Sequence, residues 1–109
     1  MAAKKGQFLV VYTTFGNAGD AEETVKKLVE RRLIACGTIV PGATSVFRWR
    51  GDVQTESEVL AILKTERRCW TELERAIGEL HPYEVPELIA VPVALGSDPY
   101  LDWIAQQVS

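Results

Sequence analysis

The sequence predicts an α+β domain of the split βαβ, or ferredoxin-like, type, with an antiparallel sheet, two helices on one face and an additional C-terminal helix. Three observations predict this fold class. Strand-like and helix-like patterns follow the order strand, helix, strand, strand, helix, strand. A length of 109 residues suits a single domain covering 1–109. Hydrophobic residues make up 47% and charged residues 25%, the balance of a globular protein rather than a disordered chain.

The first strand and the first helix are predicted at the start of the chain. Residues 7–14 are a nearly continuous apolar and β-branched run, which is typical of a strand. Gly16-Asn17-Ala18-Gly19 interrupts this run, and Asp20 is the predicted N-cap of the helix, with Glu23 as its capping-box partner. The apolar positions of the helix recur on one face, at Ala21, Val25, Leu28, Val29 and Leu33.

Residues 38–50 and 53–65 predict the two strands of a long hairpin, with its turn at Gly51-Asp52. Pro41-Gly42 interrupts the first strand, and because alternation resumes after it, we expect a bulge or bend there rather than an end. Each arm has about a dozen residues and an extended length of roughly 40 Å. Two helices of a small domain cannot cover that length, so the hairpin tip is expected to project.

The second helix is predicted to begin at Thr65 or Glu66 and to end at His81-Pro82, because proline cannot continue a helix. Its apolar stripe consists of Trp70, Leu73, Ala76, Ile77 and Leu80.

Residues 87–95 predict a fourth strand. Pro92 cannot donate a hydrogen bond to a ladder, so this strand is expected at an edge or at a bulge. Gly96-Ser97-Asp98-Pro99 is predicted to lead into the C-terminal helix. A sheet with one uncovered face, an overlong hairpin and an exposed edge predicts an oligomer, in which other subunits cover these surfaces.

Charge and composition exclude several classes of function. Twelve Lys and Arg against 15 Asp and Glu give a net charge of -3, which argues against nucleic-acid binding as the main role. No apolar run is long enough to cross a bilayer and no cleavable signal is recognisable, so we predict a cytoplasmic protein without membrane insertion. Cys36 and Cys69 form no Cys-x-x-Cys pair and are expected to be reduced, partly buried residues.

The chain is sparsely supplied with metal ligands, because it has one His and two Cys. Cu²⁺ and Zn²⁺ prefer three or four imidazole or thiolate ligands in one place. The candidate metal ligands are His81 and Cys36, with Glu84 or Glu87 contributed across a subunit interface. The alternatives are structural: His81 would end a helix whose dipole favours a partly protonated imidazole, and Cys36 would pack in the interior.

An inter-subunit cleft is the other candidate site. Lys64 ends a strand in an apolar segment and is predicted to form a salt bridge at a subunit interface, with Glu58, Glu84 or Glu87 as its partner. Clustered carboxylates and a lysine would also suit a small anionic ligand. The predicted cleft residues are Lys64, Tyr83, Glu84, Glu87 and Trp49.

Catalysis is not predicted. A single histidine without a nucleophile motif supports no Ser/His/Asp arrangement. The segment Gly16 to Gly19 before a helix could cradle a phosphate, but it has no arginine to hold one.

Six segments closely resemble the CutA family of divalent-cation tolerance proteins, and the resemblance as a whole runs from about Phe8 to Trp103. They are Leu33-Ile34-Ala35-Cys36, Pro41-Gly42-Ala43-Thr44-Ser45, Trp49-Arg50-Gly51, Leu63-Lys64-Thr65, His81-Pro82-Tyr83-Glu84-Val85-Pro86-Glu87 and Tyr100-Leu101-Asp102-Trp103. The resemblance implies a homotrimer with edge-to-edge strand pairing, tolerance of copper and other divalent cations, and metal binding in some members. In animal members it implies anchoring of a membrane enzyme. Thr13 and Leu80 stand where some members carry Cys and His, which weakens a transferred metal site.

Three functions therefore remain open. The preferred one is a trimeric, non-enzymatic tolerance or metal-response protein that binds Cu²⁺ or another divalent cation weakly and does not need it for folding. The second is a trimer similar to the nitrogen-regulatory PII proteins, which senses a nucleotide or small anion between subunits. The third is a trimeric scaffold that presents the hairpin tip, near Arg50-Gly51-Asp52, to a protein partner.

Overall fold

The computed structural model describes residues 7–109, which form a four-stranded antiparallel sheet and three α-helices. The elements are β1 (Phe8–Phe15), α1 (Ala18–Glu30), β2 (Cys36–Trp49), β3 (Asp52–Glu66), α2 (Trp70–Leu80), β4 (Ile89–Pro92) and α3 (Asp98–Gln107). The strand order is β2-β3-β1-β4, and every neighbouring pair is antiparallel. The predicted α+β fold with an additional C-terminal helix is confirmed, and residues 1–6 of the predicted domain lie outside the described part.

The main core lies between one face of the sheet and the helices α1 and α2. Alternate strand residues point into it, such as Val11 of β1 and Leu63 of β3, both fully buried. Leu28 of α1 and Ile77 of α2 meet them from the helical side. Burial of each such side chain contributes about 1.5–3 kcal/mol, so this layer fixes the sheet against the helices.

The helix α1 begins earlier than predicted, and its N-cap is Asn17 rather than Asp20. Asn17 Oδ1 accepts a hydrogen bond from the backbone N–H of Asp20 at 2.8 Å, and Asn17 Nδ2 donates to the Asp20 carboxylate at 3.0 Å. Asparagine caps a helix as well as aspartate does, which explains the difference. The Asp20 carboxylate therefore lies at the helix N-terminus itself, so a phosphate there would meet a negative charge of the chain.

The long hairpin and its bulge are confirmed. The register between β2 and β3 shifts between Val40 and Ala43, so Pro41 and Gly42 together stand opposite the single residue Val59. The turn is Arg50-Gly51 rather than the predicted Gly51-Asp52, because Asp52 already pairs with Trp49 in the ladder. Both turn residues have positive φ, as a type I′ hairpin turn requires. The molecule measures 49 × 26 × 23 Å, and Trp49 next to the turn is 53% exposed, so the tip projects as expected.

The predicted start of the second helix at Thr65 or Glu66 is wrong, because both residues belong to β3. They pair with Leu9 and Phe8 of β1, and Thr65 Oγ1 donates to the Leu33 carbonyl at 2.6 Å. A short 3-10 turn, Arg67–Cys69, then leads into α2. Sheet pairing over these two residues outweighs the local helical pattern.

The strand β4 lies at the sheet edge beside β1, and Pro92 is at the end of that ladder, opposite Leu9. This confirms the edge position, although the strand is shorter than the predicted 87–95. The helix α3 packs over one end of the sheet in a second cluster that includes Phe8 and Cys69. Both cysteines are free thiols, and Cys36 is half-buried whereas Cys69 is buried.

The sheet face away from α1 and α2 is called here the open face. It carries the residues that alternate with the core positions, namely Val10, Tyr12, Thr14, Cys36, Thr38, Val40, Leu60, Ile62, Lys64, Ile89 and Val91. Val40, Ile89 and Val91 are 39%, 55% and 48% exposed. Exposed apolar surface of this kind is typical of protein interfaces and of ligand-binding grooves, and the predicted oligomer stays a prediction.

Replacing Thr13 with valine is expected to stabilise the protein by about 1 kcal/mol. The Thr13 hydroxyl is buried and has no hydrogen-bond partner within residues 7–109, so valine removes an unmet polar group while nearly keeping the shape. Thr65→Val is the matched control, because its equally buried hydroxyl does donate a hydrogen bond. Urea unfolding of both variants should give midpoint shifts of opposite sign, and a lower midpoint for Thr13→Val would contradict the prediction.

Candidate functional site

A cleft of about 590 Å³ opens between the hairpin and the loop that follows α2. We call it the hairpin cleft, and its lining residues are Thr14, Ser45, Val46, Phe47, Trp49, Glu58, Tyr83, Glu84, Val85 and Glu87. A hollow of about 400 Å³ beside it shares Phe47, Trp49, Glu58 and Tyr83 and adds Glu56. Thr14 also belongs to the open face, so the cleft borders that face.

Four of the predicted cleft residues, Trp49, Tyr83, Glu84 and Glu87, line the hairpin cleft together. Lys64 does not. It lies on the open face, opposite Val10 on one side and Cys36 on the other, and within residues 7–109 its ammonium group has no carboxylate within ion-pair distance. The salt bridge predicted for Lys64 across a subunit interface stays a prediction.

Tyr83 ties the loop after α2 to the hairpin. Its hydroxyl donates a hydrogen bond to Glu58 Oε2 at 3.1 Å. Burial, together with the adjacent Glu58 carboxylate, raises the pKa of Tyr83, so the hydroxyl stays protonated and remains a donor. Glu58, predicted only as a partner for Lys64, thus lines the cleft beside Tyr83.

His81 is buried at the end of α2, and both of its ring nitrogens are hydrogen-bonded. Nδ1 accepts from the backbone N–H of Tyr83 at 3.1 Å, and Nε2 lies 2.8 Å from the Thr14 carbonyl. Because Nδ1 is the acceptor, Nε2 carries the proton and donates a hydrogen bond to the Thr14 carbonyl. The ring also stacks on Phe15, with 4.3 Å between ring centroids. His81 thus fixes the start of the loop that follows α2 against β1.

The imidazole of His81 is neutral in this arrangement, which corrects the expectation that a helix C-terminus would favour its protonation. Burial lowers the pKa of His81, and the Thr14 carbonyl, Asp20 and Glu58 only partly oppose this effect. Desolvation of the charged ring is therefore the largest effect on this pKa.

The structure does not bring the two predicted metal ligands together. His81 contacts Thr14 near one end of β1, whereas Cys36 lies across Lys64 from Val10 near the other. Within the described part of the chain, no three His, Cys, Asp or Glu side chains are placed to hold a metal ion. A closed site would need groups from a second subunit.

Cys36 has a different neighbour, which the sequence did not indicate. Its Sγ lies 3.6 Å from the hydroxyl of Tyr100, which stacks on Trp103. The contact with Cys36, followed by burial, raises the pKa of Tyr100. Tyr100 does not line the hairpin cleft.

Because His81 is neutral in the folded protein, we expect the free energy of unfolding to decrease as the pH is lowered. A folded-state pKa below 6.5 means that the unfolded chain binds the proton more readily, so stability is full above pH 6.5 and declines as the pH falls through 6.5 towards the folded-state value. Protonation also removes the acceptor for the Tyr83 N–H. Urea midpoints measured at pH 7.5 and 5.5 should differ more for the wild type than for His81→Gln. Equal differences would contradict the prediction, because His81 is the chain's one histidine.

Comparison with known proteins gives one consistent result. A family model described as "CutA1 divalent ion tolerance protein" matches residues 9–107. The Divalent-cation tolerance protein CutA of Thermus thermophilus is 43% identical over 97 residues, which cover 89% of this chain and 94% of that protein. Protein CutA of Mus musculus is 39% identical over 101 residues, 93% of this chain, but the chain spans only 57% of the mouse protein's length.

Solved structures agree with the observed fold. The divalent cation tolerance protein of Thermus thermophilus has a TM-score of 0.91 at 41% identity, covering 94% of this chain and 99% of that one. CutA1 from Oryza sativa has a TM-score of 0.92 at 34% identity, covering 98% of both chains. Among residues 7–109, no helix is long and apolar enough to cross a membrane. The chain belongs to the CutA1 family of divalent ion tolerance proteins.

Proposed function

We propose that the protein is a cytoplasmic homotrimer that acts in tolerance of divalent cations, copper among them, binds such cations weakly and catalyses no reaction. The observation that carries this proposal is the family match over residues 9–107, together with relatives named for divalent-cation tolerance.

The open face supports self-association. Tyr12 and its neighbours Ile62 and Ile89 lie side by side across three strands, and the helices α1 and α2 pack on the other face. Exposed apolar side chains of this kind are stabilised by the hydrophobic effect when another copy covers them. The position of the hairpin cleft beside this face would place it near a subunit boundary.

Carboxylates of the hairpin cleft are the ligands we propose for weak binding. Glu84 and Glu87 line the cleft and are exposed, and oxygen ligands without a closed set of three give weak sites. Binding at His81 would cost a hydrogen bond to Thr14 or to Tyr83. The metal roles predicted for His81 and Cys36 are kept as alternatives that the experiment separates. The apolar core is formed by the chain alone, so we expect folding without metal.

Calorimetric titration with Cu²⁺ tests the metal-binding part of the proposal. The double variant Glu84→Gln/Glu87→Gln should bind Cu²⁺ about fivefold more weakly than the wild type, or more weakly still, because two exposed charge interactions are lost. Glu30→Gln/Glu74→Gln is the matched control, since it removes the same charge from exposed positions of α1 and α2. This control should bind as the wild type does.

The remaining outcomes decide between the alternatives. Loss of binding in His81→Gln or Cys36→Ala, with binding intact in the double carboxylate variant, would move the site to the sequence-predicted ligands. Absence of any Cu²⁺ binding by the wild type would overturn the metal-binding proposal and leave only the family assignment.

A further inference from the structure

The hairpin cleft and the hollow beside it are strongly acidic. Four carboxylates, those of Glu56, Glu58, Glu84 and Glu87, line them, and no lysine, arginine or histidine of residues 7–109 does. The net charge of the whole chain is only -3. Lys64, the cation expected there, does not line the cleft, because it lies farther along β3 from Glu58. An anionic ligand would meet only like charge from this subunit, so the cleft favours a cation.

The walls of the cleft are aromatic, which a bare metal ion would not use. Phe47, Trp49 and Tyr83 are 38%, 53% and 38% exposed, so parts of their rings are free to contact a ligand. One face of Trp49 is taken by Arg50, whose guanidinium carbon lies 5.6 Å from the ring centroid, so a ligand ammonium would use the other face or displace Arg50. Aromatic faces beside carboxylates are the combination that binds organic ammonium groups.

The size of the cleft also favours a small organic ligand over a bare metal ion. A volume of about 590 Å³ falls in the range of sites for small organic molecules. The carboxylates are distributed over the hairpin and the loop rather than gathered into a metal-ligand set. A flexible molecule with several separated positive charges matches this distribution better than a single compact ion.

We propose that the hairpin cleft binds an organic polycation of the polyamine class, a methylene chain that carries two or more ammonium groups. Its methylene groups pack on Phe47 and Trp49, while its ammonium groups bind Glu58 at one end and Glu84 or Glu87 at the other. This site shares Glu84 and Glu87 with the proposed copper binding. The aromatic walls distinguish the two, since they contribute only to the organic cation.

Titration of the full-length protein with spermidine at low ionic strength tests the proposal. The wild type should show saturable binding, and propylamine, with one ammonium group, should bind more weakly. Glu84→Gln/Glu87→Gln should weaken spermidine binding about fivefold or more. Trp49→Leu should weaken it about twofold to fivefold and leave the Cu²⁺ titration unchanged.

Glu30→Gln/Glu74→Gln is again the control for total charge and should bind spermidine as the wild type does. The proposal is overturned if no binding occurs, if this control weakens binding as much as the cleft variant, or if Trp49→Leu has no effect. Either of the last two results would mean that spermidine neutralises the surface non-specifically. Loss of Cu²⁺ binding alone would count against the proposed function and leave the polyamine site intact.

Discussion

Replacing Phe15 with alanine is expected to lower the free energy of unfolding by about 3–5 kcal/mol. Phe15 is fully buried at the end of β1, in the core under α1 and α2. Its ring also stacks on His81 with an interplanar angle of 15°. Alanine would remove both the packing and the surface against which His81 is held. Because small domains are stable by only about 5–15 kcal/mol, much of the protein's stability would be lost.

Urea unfolding at a fixed protein concentration measures this effect, since self-association makes stability depend on concentration. Phe47→Ala is the matched control, because it removes the same ring from a partly exposed position. Its cost should be clearly smaller than that of Phe15→Ala. Similar losses for the two variants would mean that the core beneath His81 does not carry the stability assigned to it.

The fold was predictable where neighbouring residues determine the structure. Pro41-Gly42 indicated a bulge and Pro92 indicated an edge strand, because a missing donor limits where proline can lie. Thr65 and Glu66 were misassigned because their conformation is set by pairing with β1, more than fifty residues away in the chain. Local pattern cannot report such a contact. The N-cap differed for another reason, since Asn17 and Asp20 are three positions apart and both are favoured N-cap residues.

The same distinction applies to the candidate site. Tyr83, Glu84 and Glu87 lie in one short segment, so their common location was predictable from the sequence. Lys64 is six residues from Glu58 along β3, roughly 20 Å in an extended strand, so it could not share the cleft within one subunit. The Tyr83–Glu58 hydrogen bond joins a loop to a distant strand and required the tertiary structure. The two hydrogen bonds of His81 likewise could not be predicted from the sequence.

The assembly state carries the other large expected effect. Light scattering after size exclusion should give the wild type a mass three times the 12.1 kDa of the subunit. The double variant Ile62→Lys/Ile89→Lys should give the subunit mass, because it places two charges beside Tyr12 in the middle of the open face. Burying unpaired charges against another copy costs several kcal/mol, which a subunit interface of ordinary size cannot recover.

The charged variant must remain folded for this result to be informative, and the position of its substitutions favours that outcome. Neither isoleucine belongs to the core under α1 and α2, and Ile89 is 55% exposed in the subunit. Circular dichroism should therefore show an unchanged helix and strand content. Val29→Lys, at a 40% exposed position of α1, adds a charge outside the open face and should keep the trimeric mass. A wild type of subunit mass, or a trimer that survives both lysines, would show that the open face is not the contact between copies.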